Sequence, residues 1–395
     1  MDYRKISELA RQIRGVSYKP EDIHDGLDKD AIILLRANNI SGGKINFDDI
    51  VYVDRRKVSN EQYLRKGDIL ICASSGSKQL VGKAATVDFD RECTFGAFCK
   101  VVRPNPDIAG YLGVYFQSNR YRQKISEVAI GANINNIRNE HIDDLELLVG
   151  NSDENAEVIE TITLLQCIID RRKEQLEKLD ELVKARFMEQ FGDPVNAPRY
   201  PLTAIGQIGD VMTGTTPSMK KSEYYDSNDI MFIKPSDIAE NQVTPVISSE
   251  AYISENARSV GRIFPEKSVL VTCIGTIGKV GIATAESSCN QQINVIVPGP
   301  TVNHLYLAHV ILYMRDRLKD AANAPVVPIL NKGDFSKITI PMPPLDLQDQ
   351  FAALVRQSDK SKFRIQKSLS IGLKLWTMAQ IDAIMSMDFS TQRSL

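Results

Sequence analysis

Two kinds of hydrophobic pattern alternate along the chain. Short apolar runs rich in β-branched residues are punctuated by Gly, Ser and Asn turns, the signature of strands. Long stretches with apolar residues three and four apart are the signature of helices with one buried stripe. Leu64–Ala73 and Phe264–Cys273 each read as a charged turn entering an apolar strand. Upstream, Ile33–Ile40 matches Met231–Ile238, a strand that ends in a cation followed by small polar residues. Downstream, a strand over Phe98–Pro104 matches one over Ile293–Pro298, and Tyr111-Leu112 and Tyr306-Leu307 each open a helical stretch. Asn-containing loops at Asn135-Asn136 and Asn331-Lys332 precede closing strands at Leu145–Val149 and Ile338–Met342. The offset stays between about 193 and 200 residues throughout, so the chain carries one plan twice.

A different pattern follows each copy. Val158, Ile162, Leu165, Ile169, Leu176, Leu179 and Val183 recur at helical steps among Glu, Lys and Arg, as in a coiled-coil heptad. The second such stretch opens after Pro341-Met342-Pro343-Pro344 and carries Phe351, Leu354, Ile365, Leu369, Leu373 and Trp376, with Gly372 and serines weakening its heptad. Neither helix buries its stripe alone, so pairing with the other is expected. The predicted fold class is α/β. Two similar α/β domains, residues 1–150 and 198–343, are joined to two long antiparallel coiled-coil helices, residues 154–192 and 345–386, in a pseudo-twofold internal repeat.

A length of 395 residues fits this two-domain count. No apolar run reaches the roughly 18 residues of a membrane span, and the charged, amphipathic Met1–Ile13 lacks a signal-peptide core, so a cytoplasmic protein is expected. The six cysteines form no Cys-x-x-Cys pair and read as buried thiols. His304 and His309, five apart, share no helical face, and no metal site is expected. A net charge of −2 leaves no global surplus to attract phosphates, so any DNA contact needs locally clustered cations or a partner's help.

The segments Phe232–Ile238, Val271–Lys279, Cys289–Asn294 and Ile340–Pro344 with Gln348 closely resemble specificity subunits of type I restriction-modification systems. The resemblance spans essentially the whole chain and is strongest in the second copy. In the first copy, Ser74-Ser75-Gly76-Ser77-Lys78 departs from the Gly-Thr-Ile-Gly pattern of the second. It implies two target-recognition domains that read the halves of a bipartite, asymmetric target in double-stranded DNA. It also implies long helices that bind two modification (methyltransferase) subunits, with motor-nuclease restriction subunits joining that core. S-adenosylmethionine, ATP and Mg are then expected on partner subunits and no cofactor in this chain, which would direct adenine methylation or restriction without catalysing either.

Candidate DNA contacts follow from residue type. Thr215, Thr216, Ser218, Lys220 and Lys221 gather hydroxyls and cations on one loop, suited to phosphate oxygens. Lys234 and Ser236, with Arg36 and Asn38 in the first copy, stand at strand ends. Ser75, Lys78, Lys83, Thr276 and Lys279 lie in glycine-containing turns. Gln291, Gln292 and Asn294 are amides of the kind that pair with adenine, or that equally satisfy buried backbone groups. Asn133, Asn135, Asn136, Asn331 and Lys332 are polar loop tips with the same two readings. Each of these turns has the plainer reading of a solvated loop, as does the basic run Arg55-Arg56-Lys57. Ile162, Leu165, Ile169, Leu176, Leu179, Val183, Leu354, Ile365, Leu369 and Trp376 are expected to form the helical interface. Gly76–Lys83 is not a nucleotide-binding loop, because it has one residue too many between its glycines and Ala84 where a magnesium-binding hydroxyl belongs. No dinucleotide, methyltransferase, hydrolase or nuclease motif appears, which leaves a non-catalytic adaptor with coiled-coil assembly helices and peptide- or glycan-binding heads as the alternative.

Overall fold

The computed structural model describes residues 2–77, 80–131, 136–322 and 328–385, the side chains at 128–131 and 379–385 excepted. Lys78, Asn133 and Asn135 therefore lie outside the described residues. The chain divides into two compact units: one runs to Lys173 and resumes at Gln366, and the other is Glu174–Ile365. Each unit holds one globular head together with part of each long helix.

In the first head, the apolar run Ala31–Leu35 is buried at every position, as a strand covered on both faces must be. It pairs in parallel with Cys93–Phe95 and antiparallel with Val51–Asp54. A second sheet is ordered Ala10–Arg14, Cys99–Pro104, Ile69–Cys72, Ala84–Thr86, and all its pairings are antiparallel. The charged segment at the start is not one amphipathic stretch but a strand, Asp2–Lys5, a single helical turn, Ile6–Leu9, and another strand. Asp2–Lys5 pairs with Glu146–Val149, so the head closes on its own start.

The second head repeats this layout. Ile230–Ile233 pairs in parallel with Ser287–Cys289 and antiparallel with Tyr252–Ile253. Its larger sheet is ordered Gly209–Thr213, Ile293–Pro298, Val269–Thr272, Val280–Ala283, and Val243–Val246 adds a fifth strand in parallel. Leu202–Ala204 pairs with Thr339–Pro341. Even single hydrogen bonds recur. The Tyr111 hydroxyl donates to the Leu148 carbonyl (2.8 Å) in one head, and the Tyr306 hydroxyl to the Pro341 carbonyl (2.7 Å) in the other. Both tyrosines stand on a helix, Ala109–Phe116 or His304–Tyr313, and tie it to the closing strand.

The long helices are Ser152–Phe191 and Leu345–Met385. Asn151 caps the first: its side chain accepts from the Glu154 amide and its own amide donates to the Glu154 carboxylate, both at 2.9 Å. In the second unit the two helices run antiparallel, since Asp180 meets Lys362 while Gln190 reaches the Leu347 carbonyl. Phe187, Phe191 and Phe351 join Tyr306 and Tyr313 of the head in an aromatic cluster, with Phe187 and Phe351 edge to face at 5.4 Å. Of the expected stripe, Val183 is buried and Leu176, Leu179, Leu354 and Ile365 are half-buried. In the first unit Ile162 and Ile169 are buried, and Leu165, Leu369 and Trp376 are half-buried. Gly372 there leaves room for Ile169, 3.6 Å from where a Cβ would stand. The Trp376 Nε1–H has no acceptor among the described residues.

Five cysteines are buried thiols, and burial pushes Cys273 up to about 11 and Cys93 and Cys99 up to about 12. Cys167 departs from expectation and is exposed. Among the described residues no helix is long and apolar enough to cross a membrane, and no cluster of His, Cys, Asp and Glu is placed to hold a metal ion.

Candidate nucleic-acid interface

In the second head, neighbouring strands end together, and backbone hydrogen bonds bind the loops that leave them into one surface. Thr213, last in its strand, lies opposite Asn294, and Thr272 lies opposite Ile293. The Gly214 amide then donates to the Ile293 carbonyl and the Thr215 amide to the Cys289 carbonyl. The Asn290 amide reaches the Ile233 carbonyl, the Cys273 amide reaches the Gln292 carbonyl (2.8 Å), and the Leu330 amide reaches the Cys273 carbonyl. The loops carrying Thr215–Lys221, Lys234–Ser236, Thr276–Lys279, Gln291-Gln292 and Asn331-Lys332 thus converge, although up to 117 residues separate them in sequence. Gly214 is required at this junction: a Cβ there would lie 2.2 Å from the Asn290 carbonyl oxygen.

The side chains on this surface are engaged to different degrees. Thr216 donates to the Gln291 side-chain carbonyl (2.8 Å), which holds an exposed amide in one orientation. Gln292 accepts from the Asn290 amide group (2.9 Å). Asn294 is fully buried, accepting from Thr213 and donating to the Leu330 carbonyl, so it braces two loops from within. Asn331 caps a short helix by accepting from the Asp334 amide (2.9 Å). Ser236 makes a long contact to Glu250 (3.4 Å), Lys279 donates to the Pro235 carbonyl (3.1 Å), and Thr276 is exposed on a turn that Gly275 and Gly278 shape with positive φ. Lys221 lies over the Tyr224 ring, and the hydrogen bond its ammonium donates to the Tyr224 hydroxyl (3.1 Å) holds it above the usual lysine range. Lys220, Lys234 and Lys332 have no ion-pair partner among the described residues, and Ser218 is exposed. This end of the head thus gathers five lysines, Lys220, Lys221, Lys234, Lys279 and Lys332, although Lys221 also faces Glu223 (3.9 Å).

The first head assembles the same surface from different side chains. The Gly96 amide donates to the Leu35 carbonyl, the Ile137 amide to the Ala73 carbonyl, and the Ala73 and Ser74 amides both donate to the Phe98 carbonyl. Gly15 plays the part of Gly214, with a Cβ there only 2.1 Å from the Gly96 carbonyl oxygen. Arg36 and Asn38 both donate to the Asp49 carboxylate, at 2.8 and 2.6 Å, so the Arg36 charge is already paired. Ser75 accepts from the Ser77 amide, Lys83 is half-buried, and Asn136 is exposed beside Ser74. The run Arg55-Arg56-Lys57 is consumed in ion pairs with Glu92, Asp54 and Asp22.

Two residues of these surfaces were not legible as candidates. Phe98 does not begin a strand, because Cys99 does; it sits on the tip of a turn with 71% of its surface exposed. Met219, at 83%, is similarly bare on the lysine-bearing loop. The repeat itself held a signal for Phe98, which occupies the position of Gln292 in a turn otherwise built alike.

Comparison with known proteins agrees with this arrangement. The family described as the type I restriction modification DNA specificity domain matches residues 202–375. The specificity subunit of the type I restriction enzyme StySPI of Salmonella potsdam is 27% identical, over 93% of this chain and 84% of that protein. The specificity subunit of EcoKI from Escherichia coli (strain K12) is 37% identical over 48% of this chain and 41% of that protein. The crystal structure of the type I restriction-modification S subunit from M. genitalium shares the fold, with a TM-score of 0.58 at 14% identity over 97% of this chain and 96% of that one. With its duplicated heads and paired helices, the chain carries a type I restriction modification DNA specificity domain at residues 202–375 and is similar over most of its length to type I specificity subunits.

Proposed function

We propose that each head reads one half of a bipartite, asymmetric DNA target, and that the chain directs methylation or restriction performed by partner subunits. The observation that carries this reading is that the same five-loop surface is built twice on one scaffold with different exposed side chains. Identical heads would suit a palindrome, whereas different ones suit two unlike half-sites. The lysine-bearing loops supply phosphate contacts, and the exposed amides supply hydrogen bonds to base edges. Exposed apolar side chains on both long helices, Leu164 at 60% and Phe363 at 69% among them, support docking of modification subunits there. S-adenosylmethionine, ATP and Mg belong to those partners, and this chain contributes recognition without catalysis.

The test is an exchange of the first head, residues 1–150, for that of another specificity subunit, followed by mapping of methylated adenines in cells. One half of the motif changes and the other stays. Simultaneous loss of both halves, with the protein intact and the complex assembled, contradicts the reading.

A further inference from the structure

The first head carries an aromatic side chain that its fold does not use. Ala97 and Phe98 form the tip of a turn whose backbone is fixed on every side: the Gly96 amide donates to Leu35, the Cys99 amide closes back on Gly96 (2.8 Å), and the Phe98 carbonyl accepts from both Ala73 and Ser74. Such a turn needs no large apolar residue at its tip, and burial of a phenylalanine side chain is worth about 1.5–3 kcal/mol that the folded chain forgoes here. The segment bonded to it carries Ser74 and Ser75, and Asn136 is bridged to Ser74, so the surroundings of the turn are polar. The corresponding position of the second head, whose carbonyl accepts the Cys273 amide as that of Phe98 accepts the Ala73 amide, is Gln292.

We infer that Phe98 reads the C5-methyl group of a thymine in the half-site of the first head, an inference that rests on the DNA-reading function proposed above. Thymine is the base whose major-groove edge offers an apolar group beside an acceptor, and phenylalanine is one of the side chains that contact it. An exposed aromatic set rigidly among amides and hydroxyls meets that edge, with polar neighbours available to the acceptor. Exchange of Phe98 for the glutamine of the other head replaces methyl recognition by hydrogen bonding. Insertion as a wedge between base pairs is the competing use of an exposed aromatic; it requires the duplex to be unstacked and bent.

The experiment uses the complete chain assembled with its modification partners and a duplex carrying its mapped target. Each thymine of the first half-site is replaced singly by deoxyuridine, which removes the methyl group and nothing else. Wild-type protein is expected to lose about fourfold in affinity at one position, the value of burying one methyl-sized group. Phe98→Ala binds the unmodified target more weakly and no longer distinguishes thymine from deoxyuridine there, while Phe98→Leu keeps the distinction. Deoxyuridine in the second half-site leaves Phe98→Ala and wild type with the same ratio. The inference is overturned by a first half-site without thymine, by indifference of wild type to every replacement, or by continued sensitivity in Phe98→Ala. A loss in Phe98→Ala without any methyl response overturns it in favour of the wedge. Failure of the wild-type complex to bind duplex at all overturns the DNA-reading function along with it, whereas normal binding without a methyl response overturns the Phe98 inference alone.

Discussion

The two heads agree in their backbones and disagree in the side chains at their tips and in their interiors. Gly15 and Gly214 solve one steric problem in the same way, and Tyr111 and Tyr306 tie corresponding helices to corresponding strands. Yet Arg36 is paired with Asp49 where Lys234 has no ion-pair partner among the described residues, and Phe98 stands where the other head has Gln292. Loop positions are held by main-chain hydrogen bonds, which almost any side chain permits, so a new base preference does not require a new fold. A scaffold fixed through its backbone is what allows two copies to diverge at the surface.

The deepest difference lies inside. In the first head Asp68 and Arg103 form a buried bidentate pair, both bonds 2.7 Å, and Arg103 also reaches the Glu61 and Tyr63 carbonyls. The second head has Ser268, buried and donating to the Pro265 carbonyl, in place of Asp68, and Val297 in place of Arg103. Asp68→Ala strands a buried guanidinium and is expected to destabilise the first head by about 3–5 kcal/mol. Combining Asp68→Ser with Arg103→Val copies the second head and restores most of that loss. Urea unfolding of the full chain, followed by a probe in each head, checks both. A double variant no better than the single one would mean that the heads are not interchangeable at this site.

Acid separates the two units in the opposite direction. His309 is buried against Phe351 and Tyr313, and its Nδ1 lies 2.8 Å from the Leu305 carbonyl. Desolvation, reinforced by the Lys362 charge and opposed by the Leu305 hydrogen bond and Asp180, lowers its pKa from 6.5 to about 4. Above pH 6.5 the folded and unfolded forms are both neutral and nothing is lost. As the pH falls below that value, the unfolded chain takes up a proton that the folded chain refuses, so stability declines by about 1.4 kcal/mol per unit, roughly 2 kcal/mol by pH 5. The first head has Val114 at the matching helix position and lacks this response. Comparing wild type with His309→Leu at pH 7 and pH 5 isolates the effect, and an unchanged difference at the two pH values rejects it. Of similar size, but equal in both heads, are the costs of Gly15→Ala and Gly214→Ala, about 1–3 kcal/mol each by forced displacement of backbone. A strong asymmetry in their melting behaviour would break the equivalence of the two junctions.

The repeat made the fold legible before any contact was known, because buried strands must be apolar runs and paired helices must carry stripes. Ala31–Leu35, Ile230–Ile233 and the heptad through Val183 announce themselves for that reason. The surface was legible only as a set of loops. Asn294 reads like a base-contacting amide in sequence, but its partners, Thr213 and Leu330, are 81 and 36 residues away and only the fold brings them to it. Arg36 reads as a free cation until Asp49 is placed beside it. Phe98 was hidden because an apolar residue before an apolar strand looks like the first residue of that strand.

The smallest expected effect concerns the lysine loop of the second head, where the first head's loop after Gly15 has a single lysine, Lys19, already beside Glu21 (3.7 Å). Lys220 and Lys221 are exposed on Thr215–Lys221, and each phosphate they neutralise adds about 0.9 to the slope of log affinity against log salt. Replacing both by alanine therefore lowers that slope by at most about 2 and weakens binding to all duplexes alike. The methylated motif stays as it was, because phosphate contacts carry no base information. Gln292→Ala, on the turn held by Asn290 and Cys273, does the reverse: it relaxes one position of the second half-site and leaves the salt slope alone. Fluorescence anisotropy across a salt series, run beside adenine-methylation mapping, separates the two outcomes, and a motif change in the lysine variant would show that this loop reads bases instead of gripping the backbone.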